Sequence, residues 1–417
     1  MTDPPHICPA AMKSVHRSIS VLAFLCALTI ALQSSQAQNF NVIHNFTAGQ
    51  DGGVPLAGLT IDRGGNLYGT ASAGGSRGLG TVFKLAPRGS GWVLTPLYSF
   101  RGGSDGKLPF DRVVFGPEGI LYGTTFSGGS GACEGDGCGT VFKLSPPATA
   151  CKSALCAWSE TVLYRFTGGS DGLYPEHGDL VFDEAGNIYG TTYGGGIGNG
   201  VVFELTPSGT ENVLYPFPGG QLAFPFSSVI FDNAGNIYGT TYNQGGAVYQ
   251  LTPSETAWTE NTLFSFSDND NGYFPYGGLI FDQSGDIYGT TSAGGINRGG
   301  AAFEVTSSNG MWALNTIYSF NGIFFSRECG PYASLFEDSA GNLYGTTMCE
   351  SQTAFGSVFK LTNTDGSWTY TSLHDFTGGS DGGYPFSSVV MDASGNLYGT
   401  ASSGGTQGYG VVWEITP

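Results

Sequence analysis

One segment of the chain places a histidine between two carboxylates, in Pro175-Glu176-His177-Gly178-Asp179. The equivalent segments of a repeat described below carry small residues at the positions of His177 and Asp179. A histidine beside acidic residues can transfer protons, so Glu176, His177 and Asp179 are candidate catalytic residues for a polysaccharide lyase or a glycosidase. The sequence contains no nucleophile elbow, zinc-protease motif or phosphate-binding loop that would add support for catalysis.

Aromatic residues flank a proline that recurs through the chain, as in Tyr384-Pro385-Phe386. Flat rings close to aspartate and asparagine suit stacking on sugars, while the polar groups bond the sugar hydroxyls. The candidate binding residues of this kind are Tyr174, Phe274, Tyr384 and Phe386. The alternative is that these rings pack between neighbouring structural units.

Glycine-rich loops with the sequence Gly-Gly-Ser-Asp-Gly supply three further candidate binding residues, Asp105, Asp171 and Asp381. Carboxylate and hydroxyl oxygens are the ligands that calcium prefers, so calcium is the one cofactor to consider. The sequence favours the alternative, in which Asp and Ser side chains cap the turns by bonding their own backbone.

A denser acidic segment, residues 268–272, begins like an EF-hand loop, with Asp268 and Asp270 as its candidate metal ligands. It lacks the closing glutamate and the flanking helices of such a loop. We therefore expect no EF-hand site there and no obligatory cofactor.

The element that positions these groups is a repeat marked by the phrase Tyr-Gly-Thr, which occurs seven times at intervals of about 50 residues. The copies begin at Tyr68, Tyr122, Tyr189, Tyr238, Tyr288, Tyr344 and Tyr398. Each copy holds four short apolar runs, named strands a to d here, separated by turns rich in Gly, Asn and Asp. A repeat of this kind predicts an all-β fold, a β-propeller with one four-stranded blade per copy.

The two ends of the repeat region complement each other. The last copy ends after its strand c, residues 411–416, and residues 41–46 supply an additional strand d. Pairing of these two strands would close the ring and remove exposed sheet edges, so we predict a seven-bladed propeller over residues 39–417. The predicted blades are about 54–100, 109–166, 175–217, 225–266, 275–320, 331–376, and 385–417 together with 39–46.

In a propeller, the d–a and b–c loops emerge at one face. The aspartate loops, the aromatic residues around the recurring proline and the acidic segment at His177 should therefore share one mouth of the central channel. The pair Asp111-Arg112 also departs from the repeat at this face.

The repeat resembles a known family. The sequence Gly-Asn-Leu-Tyr-Gly-Thr, followed by Gly-Gly, Gly-Thr-Val-Phe-Lys-Leu and Leu-Tyr-Ser-Phe, is similar to the tandem repeat of secreted bacterial proteins called GloVer. The resemblance covers essentially all of the predicted mature chain. It implies a repeat-built exported protein and implies no particular activity. Its strand a and b pattern is also similar to NHL-type propeller repeats, an analogy of fold.

The N-terminus has the features of a secretory signal peptide. Lys13 and Arg17 precede an apolar run, and Ser35-Gln36-Ala37 provides small residues for cleavage, so residues 1–37 are the predicted signal peptide. We expect a secreted, extracellular protein with no membrane span in its mature chain. A formal net charge of −18 disfavours nucleic acid and anionic membrane surfaces as partners.

Six cysteines follow the predicted signal peptide, at Cys133, Cys138, Cys151, Cys156, Cys329 and Cys349. An even number of cysteines in an exported chain favours disulfides over a zinc site. The pairs close in sequence are Cys133 with Cys138 and Cys151 with Cys156, and Cys329 and Cys349 belong to one blade face.

These observations favour a secreted propeller that binds an extracellular glycan or protein through its loop face. The alternatives are the lyase or glycosidase named above and a structural scaffold at the cell surface. The sequence favours binding over catalysis because it carries no positive catalytic motif.

Overall fold

The repeat folds as seven antiparallel sheets arranged around one axis. The structure is a computed structural model that describes residues 38–129, 133–147, 158–255, 257–266, 270–322, 329–349 and 354–417. Within those residues, 28 strands form seven four-stranded sheets, which are the blades of a β-propeller. The prediction of an all-β, seven-bladed propeller is confirmed. The predicted signal peptide, residues 1–37, lies outside the described residues.

The strands of each blade follow in the order a, b, c and d from the channel outward. The a strands are β2 (Thr60–Ile61), β6 (Val114–Phe115), β10 (Val181–Phe182), β14 (Ile230–Phe231), β18 (Ile280–Phe281), β22 (Phe336–Glu337) and β26 (Val390–Met391). The b strands are β3 (Leu67–Ala71), β7 (Leu121–Thr125), β11 (Ile188–Thr192), β15 (Ile237–Thr241), β19 (Ile287–Thr291), β23 (Leu343–Thr347) and β27 (Leu397–Ala401).

The c and d strands have 5 to 11 residues. The c strands are β4 (Thr81–Arg88), β8 (Thr140–Ser145), β12 (Val201–Leu205), β16 (Ala247–Pro253), β20 (Arg298–Ser308), β24 (Ser357–Thr364) and β28 (Val411–Thr416). The d strands are β5 (Gly91–Ser99), β9 (Ser159–Arg165), β13 (Glu211–Pro216), β17 (Trp258–Ser265), β21 (Met311–Asn321), β25 (Ser367–Asp375) and β1 (Asn39–Asn45). Short 3-10 helices lie at Gly103–Asp105, Pro117–Gly119, Cys133–Gly135 and Asn243–Gly245.

The ring closes as the sequence predicts. Strand β1 lies beside β28, so the N-terminal strand completes the blade that β26, β27 and β28 begin. Phe40–Thr416 form one compact unit. In the described part of the chain, no helix is long and apolar enough to cross a membrane.

Each residue of Tyr-Gly-Thr has its own structural role. In the last blade, the Tyr398 hydroxyl donates to Asp392 Oδ2 at 3.0 Å, which fixes the a–b turn. In the first blade, a Cβ at Gly69 would lie 2.7 Å from Phe83 Cζ, so glycine makes room for the core phenylalanine of strand c. The Thr400 hydroxyl donates to the Ala57 carbonyl at 2.9 Å, which links the last blade to the first.

Two disulfides lie on the loop face. Cys133 bonds Cys138 and Cys329 bonds Cys349, in agreement with the prediction of disulfides rather than a zinc site. The predicted pair Cys151 and Cys156 lies outside the described residues. Strand a is shorter than its four-residue apolar run suggests, since only two residues of each run pair as a strand, as Ile280 and Phe281 do in the fifth blade, and the preceding Leu279 packs in the core.

Candidate functional site

The mouth of the channel is built from the first residue after the recurring proline, or from the second in the third blade, where His177 follows Glu176. Six blades place a ring side chain at this mouth, and together they form what we call the mouth ring. Its members are Phe110, His177, Phe226, Tyr276, Tyr332 and Phe386. Leu56 lies at the equivalent position of the first blade. The space enclosed at the mouth, including the part open to solvent, is about 420 Å³.

Neighbouring members of the mouth ring contact one another around the axis. The ring centroids of His177 and Phe226 lie 4.5 Å apart and are stacked, and those of Tyr276 and Tyr332 lie 4.6 Å apart. The five carbocyclic side chains are half-buried, and His177 is exposed to the solvent of the channel. The rings therefore pack between blades and still present part of their surface to a ligand.

A second set of aromatic residues extends this surface outward over the loop face. We call them the outer pairs. In each pair, one ring belongs to the residue after strand b of one blade, and the other belongs to the residue before the proline of the next blade. The stacked pairs are Phe126 with Tyr174 at 4.5 Å, Tyr193 with Phe224 at 4.8 Å, and Tyr242 with Phe274 at 4.7 Å. They join the second, third, fourth and fifth blades, so the aromatic surface covers one side of the face.

The outer pairs border a groove. Tyr174, Tyr193 and Phe224 line it together with the glycines of two loops, residues 168–169 and 194–196. The groove encloses about 780 Å³, including its open side. Glycines keep its floor free of side chains, so a flat ligand could approach the backbone closely.

The residues directly before the recurring prolines have a strained backbone. Tyr174, Phe224, Phe274 and Tyr384 have φ between 54° and 63°, in the left-handed region that bulky residues rarely adopt, least of all before proline. Cross-blade hydrogen bonds hold them there, since the Tyr174 amide donates to the Cys138 carbonyl and the Tyr384 amide donates to the Phe355 carbonyl, both at 2.8 Å. Val54 and Leu108 have the same conformation before Pro55 and Pro109, so this backbone belongs to the repeat and not to the aromatic residues alone.

Charged residues enter the channel between the second and third blades. The segment from Pro175 to Leu180 is one residue longer than the equivalent segment from Pro109 to Val113. Within this longer segment, His177 has a φ of 58°. Asp179 Oδ2 lies 2.7 Å from Arg112 Nε, and Asp179 Oδ1 accepts from the Arg112 amide at 3.2 Å. The Nε contact is close as an ion pair but does not have hydrogen-bond geometry.

Asp111 is buried beside this pair. Its side chain is 4% exposed, and its Oδ2 accepts a hydrogen bond from the Thr124 hydroxyl at 2.6 Å. Burial raises the pKa of the Asp111 carboxyl to about 8, and the nearby Asp179 and Glu176 add to this rise, against the hydrogen bonds it accepts. Asp111 is therefore largely protonated at neutral pH.

The pKa values of Glu176 and His177 are shifted in opposite directions, and each shift favours the neutral form of the side chain. Burial raises the pKa of Glu176 to about 7. Solvent reaches the His177 imidazole, yet the surrounding blades desolvate it and lower its pKa below 6.5. At a slightly acidic pH, the ion pair of Arg112 and Asp179 thus holds most of the charge in this cluster.

The structure gives the aspartates of the d–a loops turn-capping contacts. Asp105 accepts from the Arg101 amide at 2.6 Å, and Asp171 accepts from the Thr167 amide at 2.8 Å. Asp381 accepts from the Thr377 amide at 2.9 Å and lies 3.1 Å from His374 Nε2. Both carboxylate oxygens of Asp105, of Asp171 and of Asp381 accept hydrogen bonds of this local kind.

The other predicted site residues divide between the mouth and the loops. Phe386 belongs to the mouth ring, Tyr174 and Phe274 belong to the outer pairs, and Tyr384 lies beside Phe355 with ring centroids 5.5 Å apart. Asp268 lies outside the described residues, and Asp270 is exposed. Among the residues that the structure describes, no group of three or more His, Cys, Asp or Glu side chains could hold a metal ion.

Sequence reasoning did not single out Phe126, Tyr193 and Tyr242, the strand b partners of the outer pairs. Their signal is a bulky ring directly after Tyr-Gly-Thr-Thr, where other copies carry serine or methionine. The Arg112 and Asp179 contact was also not foreseen, because it joins residues 67 positions apart.

The sequence matches a family model over the whole repeat region. The model of the Gloeobacter/Verrucomicrobia repeat matches residues 29–196, 136–330 and 243–417, and the chain belongs to this family. No curated protein matches the sequence.

Solved structures share the propeller architecture at low sequence identity. A provisionally assigned 6-phosphogluconolactonase from Bacteroides uniformis is 15% identical with a TM-score of 0.51, over 82% of this chain and 89% of that chain. A gluconolactonase from Xanthomonas campestris is 13% identical with a TM-score of 0.39, over 62% of this chain and 75% of that chain. At 15% identity, the first likeness shows a common fold and does not extend to activity.

Proposed function

We propose that this member of the Gloeobacter/Verrucomicrobia repeat family is an extracellular binding propeller that takes a glycan at the channel mouth of its loop face. One observation carries the proposal. Half-buried aromatic rings form a continuous surface from the channel axis, through the mouth ring, to the outer pairs on one side of the face. A surface that served only blade packing would follow the sevenfold repeat, whereas the stacked outer pairs lie on four neighbouring blades, the second to the fifth.

The chemistry of this surface suits a sugar chain. The C–H faces of pyranose rings stack on aromatic rings, and sugar hydroxyls need polar partners close by. Tyr174, Tyr193 and Phe224 supply the rings of the groove, and its loop backbones and Ser170 supply polar groups. Without its open side, the groove has a volume of about 460 Å³, which is within the 300 to 1,000 Å³ of known small-ligand sites.

Two disulfides support an extracellular location, because such bonds persist in oxidising compartments. Binding outside the cell also fits a propeller whose loops are braced by those bonds. Calcium is not part of the proposed site. The binding assay is run with calcium present and is repeated after calcium is removed.

The test is retention of the purified protein on a panel of immobilised polysaccharides. We expect retention on a selective subset, and competition by the matching soluble oligosaccharide. The variant Tyr193→Ala should lose retention, because it removes one wall of the groove. The control Trp92→Ala removes an aromatic ring that packs on Tyr398 away from the mouth, and it should bind as the wild type does.

Two results would contradict the proposal. One is the absence of retention on every polymer, which would favour a protein partner or a scaffold role. The other is equal retention of Tyr193→Ala and the wild type. Product analysis after incubation with a retained polymer also tests the lyase or glycosidase alternative, in which His177→Ala would abolish product release.

A further inference from the structure

The next level of the channel, below the mouth ring, is formed by the third residue after the recurring proline, or by the fourth in the third blade. Five residues at this level line both the mouth cavity and a second cavity deeper in the channel, and we call them the constriction. They are Arg112, Asp179, Ser228, Ser334 and Ser388. The deeper cavity encloses about 960 Å³, including its open end. A ligand group that passes the mouth ring therefore meets the constriction next.

Glycines complete this level and leave room for the serine hydroxyls. A Cβ at Gly278 would lie 2.6 Å from Ser228 Oγ and 2.7 Å from Ser334 Oγ. A Cβ at Gly58 would collide with Ser388 Oγ. The three hydroxyls therefore lie at one height around the axis, in a layer that only small side chains fit.

The donors of the constriction are incompletely used. Arg112 contacts Asp179 through Nε and through its amide, and its side chain is 32% exposed. Among the described residues, neither the terminal guanidinium nitrogens of Arg112 nor the hydroxyls of Ser228, Ser334 and Ser388 have a hydrogen-bond partner. A guanidinium and three hydroxyls thus remain available to a group that enters the channel.

Arg112 brings a positive charge to the constriction of a strongly acidic protein. The chain has 15 Lys and Arg against 33 Asp and Glu residues, and Arg112 is the one Lys or Arg among the residues lining these two cavities. Guanidinium is planar and bonds a carboxylate through two parallel N–H donors, which gives both energy and orientation.

We infer that the constriction is a subsite for the carboxylate of a uronic acid, with Arg112 as its charged donor and the three serines as neutral donors. This inference rests on the proposed glycan site, since the mouth ring would hold the sugar whose carboxylate reaches Arg112. The ligand is a chain that carries a single uronate at its end, because a polyanion would be repelled by the acidic surface of the protein.

The groups facing the subsite favour an acidic pH for binding. The Asp179 carboxylate opposes an incoming anion, and Glu337 lines the deeper cavity. Asp111 and Glu176 become charged as the pH rises through neutrality, whereas His177, which also faces the mouth, is neutral over that range. Affinity for the anion should therefore fall between about pH 6 and pH 9.

The experiment is titration calorimetry of the purified protein at pH 6 with glucuronic acid, glucose and glucose 6-sulfate. We expect glucuronate to bind about tenfold more tightly than glucose. Arg112→Gln should remove this preference, and Arg112→Lys should keep part of it. Asp179→Asn should tighten glucuronate binding several-fold, because it removes the opposing charge. Arg63→Gln, on an exposed turn between strands a and b, is the matched control and should change nothing.

Several other outcomes of these measurements would overturn the inference. Equal affinity for glucose and glucuronate in the wild type, or an unchanged preference in Arg112→Gln, would overturn the subsite while leaving retention on polysaccharides untouched. Tighter binding of glucose 6-sulfate would assign the donors to a tetrahedral anion and overturn the carboxylate. If Arg112→Gln folds poorly, Asp179→Asn provides a second test. Weaker glucuronate binding by Asp179→Asn would also overturn the inference. If no saccharide binds in either assay, the proposed function fails and the subsite fails with it.

Discussion

The Thr124 hydroxyl donates to the carboxyl group of Asp111 in its own blade, with the two oxygens 2.6 Å apart. The equivalent threonine elsewhere donates to a main-chain carbonyl of the next blade, as Thr191 does to Ser227 and Thr346 does to Ser387. The exception lies where the third blade carries its additional residue. The repeat is therefore broken at the junction that also brings the charged cluster into the channel.

Asp111→Asn should make the protein more stable at pH 8 than the wild type and remove part of its pH dependence. The folded pKa of Asp111, about 8, lies above its ordinary value of 3.8, so protonation favours the folded state. The stabilisation is complete below pH 3.8 and is lost as the pH rises to 8. Thermal unfolding at pH 4 and pH 8 should show the variant gaining about 5 kcal/mol on the wild type between these values. Parallel curves for the two proteins would show that Asp111 is charged in the fold.

Phe386→Ala should weaken glycan binding and change the free energy of unfolding by less than about 1 kcal/mol, because its ring is half-buried at the mouth. Phe359→Ala is the comparison, since Phe359 is fully buried in the core and its truncation should cost about 3 to 5 kcal/mol. Urea unfolding of both variants measures the difference. A loss for Phe386→Ala as large as for Phe359→Ala would assign the mouth ring to blade packing.

Thr400→Val should lower the free energy of unfolding by about 1 to 2 kcal/mol. The substitution keeps the shape of the side chain and removes the buried hydrogen bond from Thr400 to the Ala57 carbonyl, which links the last blade to the first. Denaturant titration monitored by tryptophan fluorescence measures the change. An unaltered unfolding midpoint would mean that the bond contributes nothing to ring closure.

Deletion of strand β1, Asn39–Asn45, should make the protein associate, because it leaves the backbone of β28 as an exposed sheet edge. Light scattering over a range of concentrations detects this association. A deletion variant that stays monomeric and melts with the wild type would show that the last blade is closed without β1.

The sequence predicts the fold well because all seven copies of the repeat indicate the same strands and turns. The two ends of the repeat region also identify the strand that closes the ring. It predicts the site less well, since function here lies in departures from the repeat. Asp105, Asp171 and Asp381 have the chemistry of ligands, but their oxygens are used within their own turns. The contact of Arg112 with Asp179 depends on how a single additional residue shifts one blade against its neighbour, which no local pattern reveals.

The most direct test of the account is a side-by-side retention assay of the wild type and the double variant Tyr276→Ala/Phe386→Ala on the polysaccharide panel. Both substitutions remove rings that line the channel mouth and leave the buried blade cores intact. The account predicts that the wild type is retained on a selective set of polymers and that the double variant, with the same melting temperature, is not. Equal retention of the two proteins, or retention of neither, would contradict glycan binding at the channel mouth.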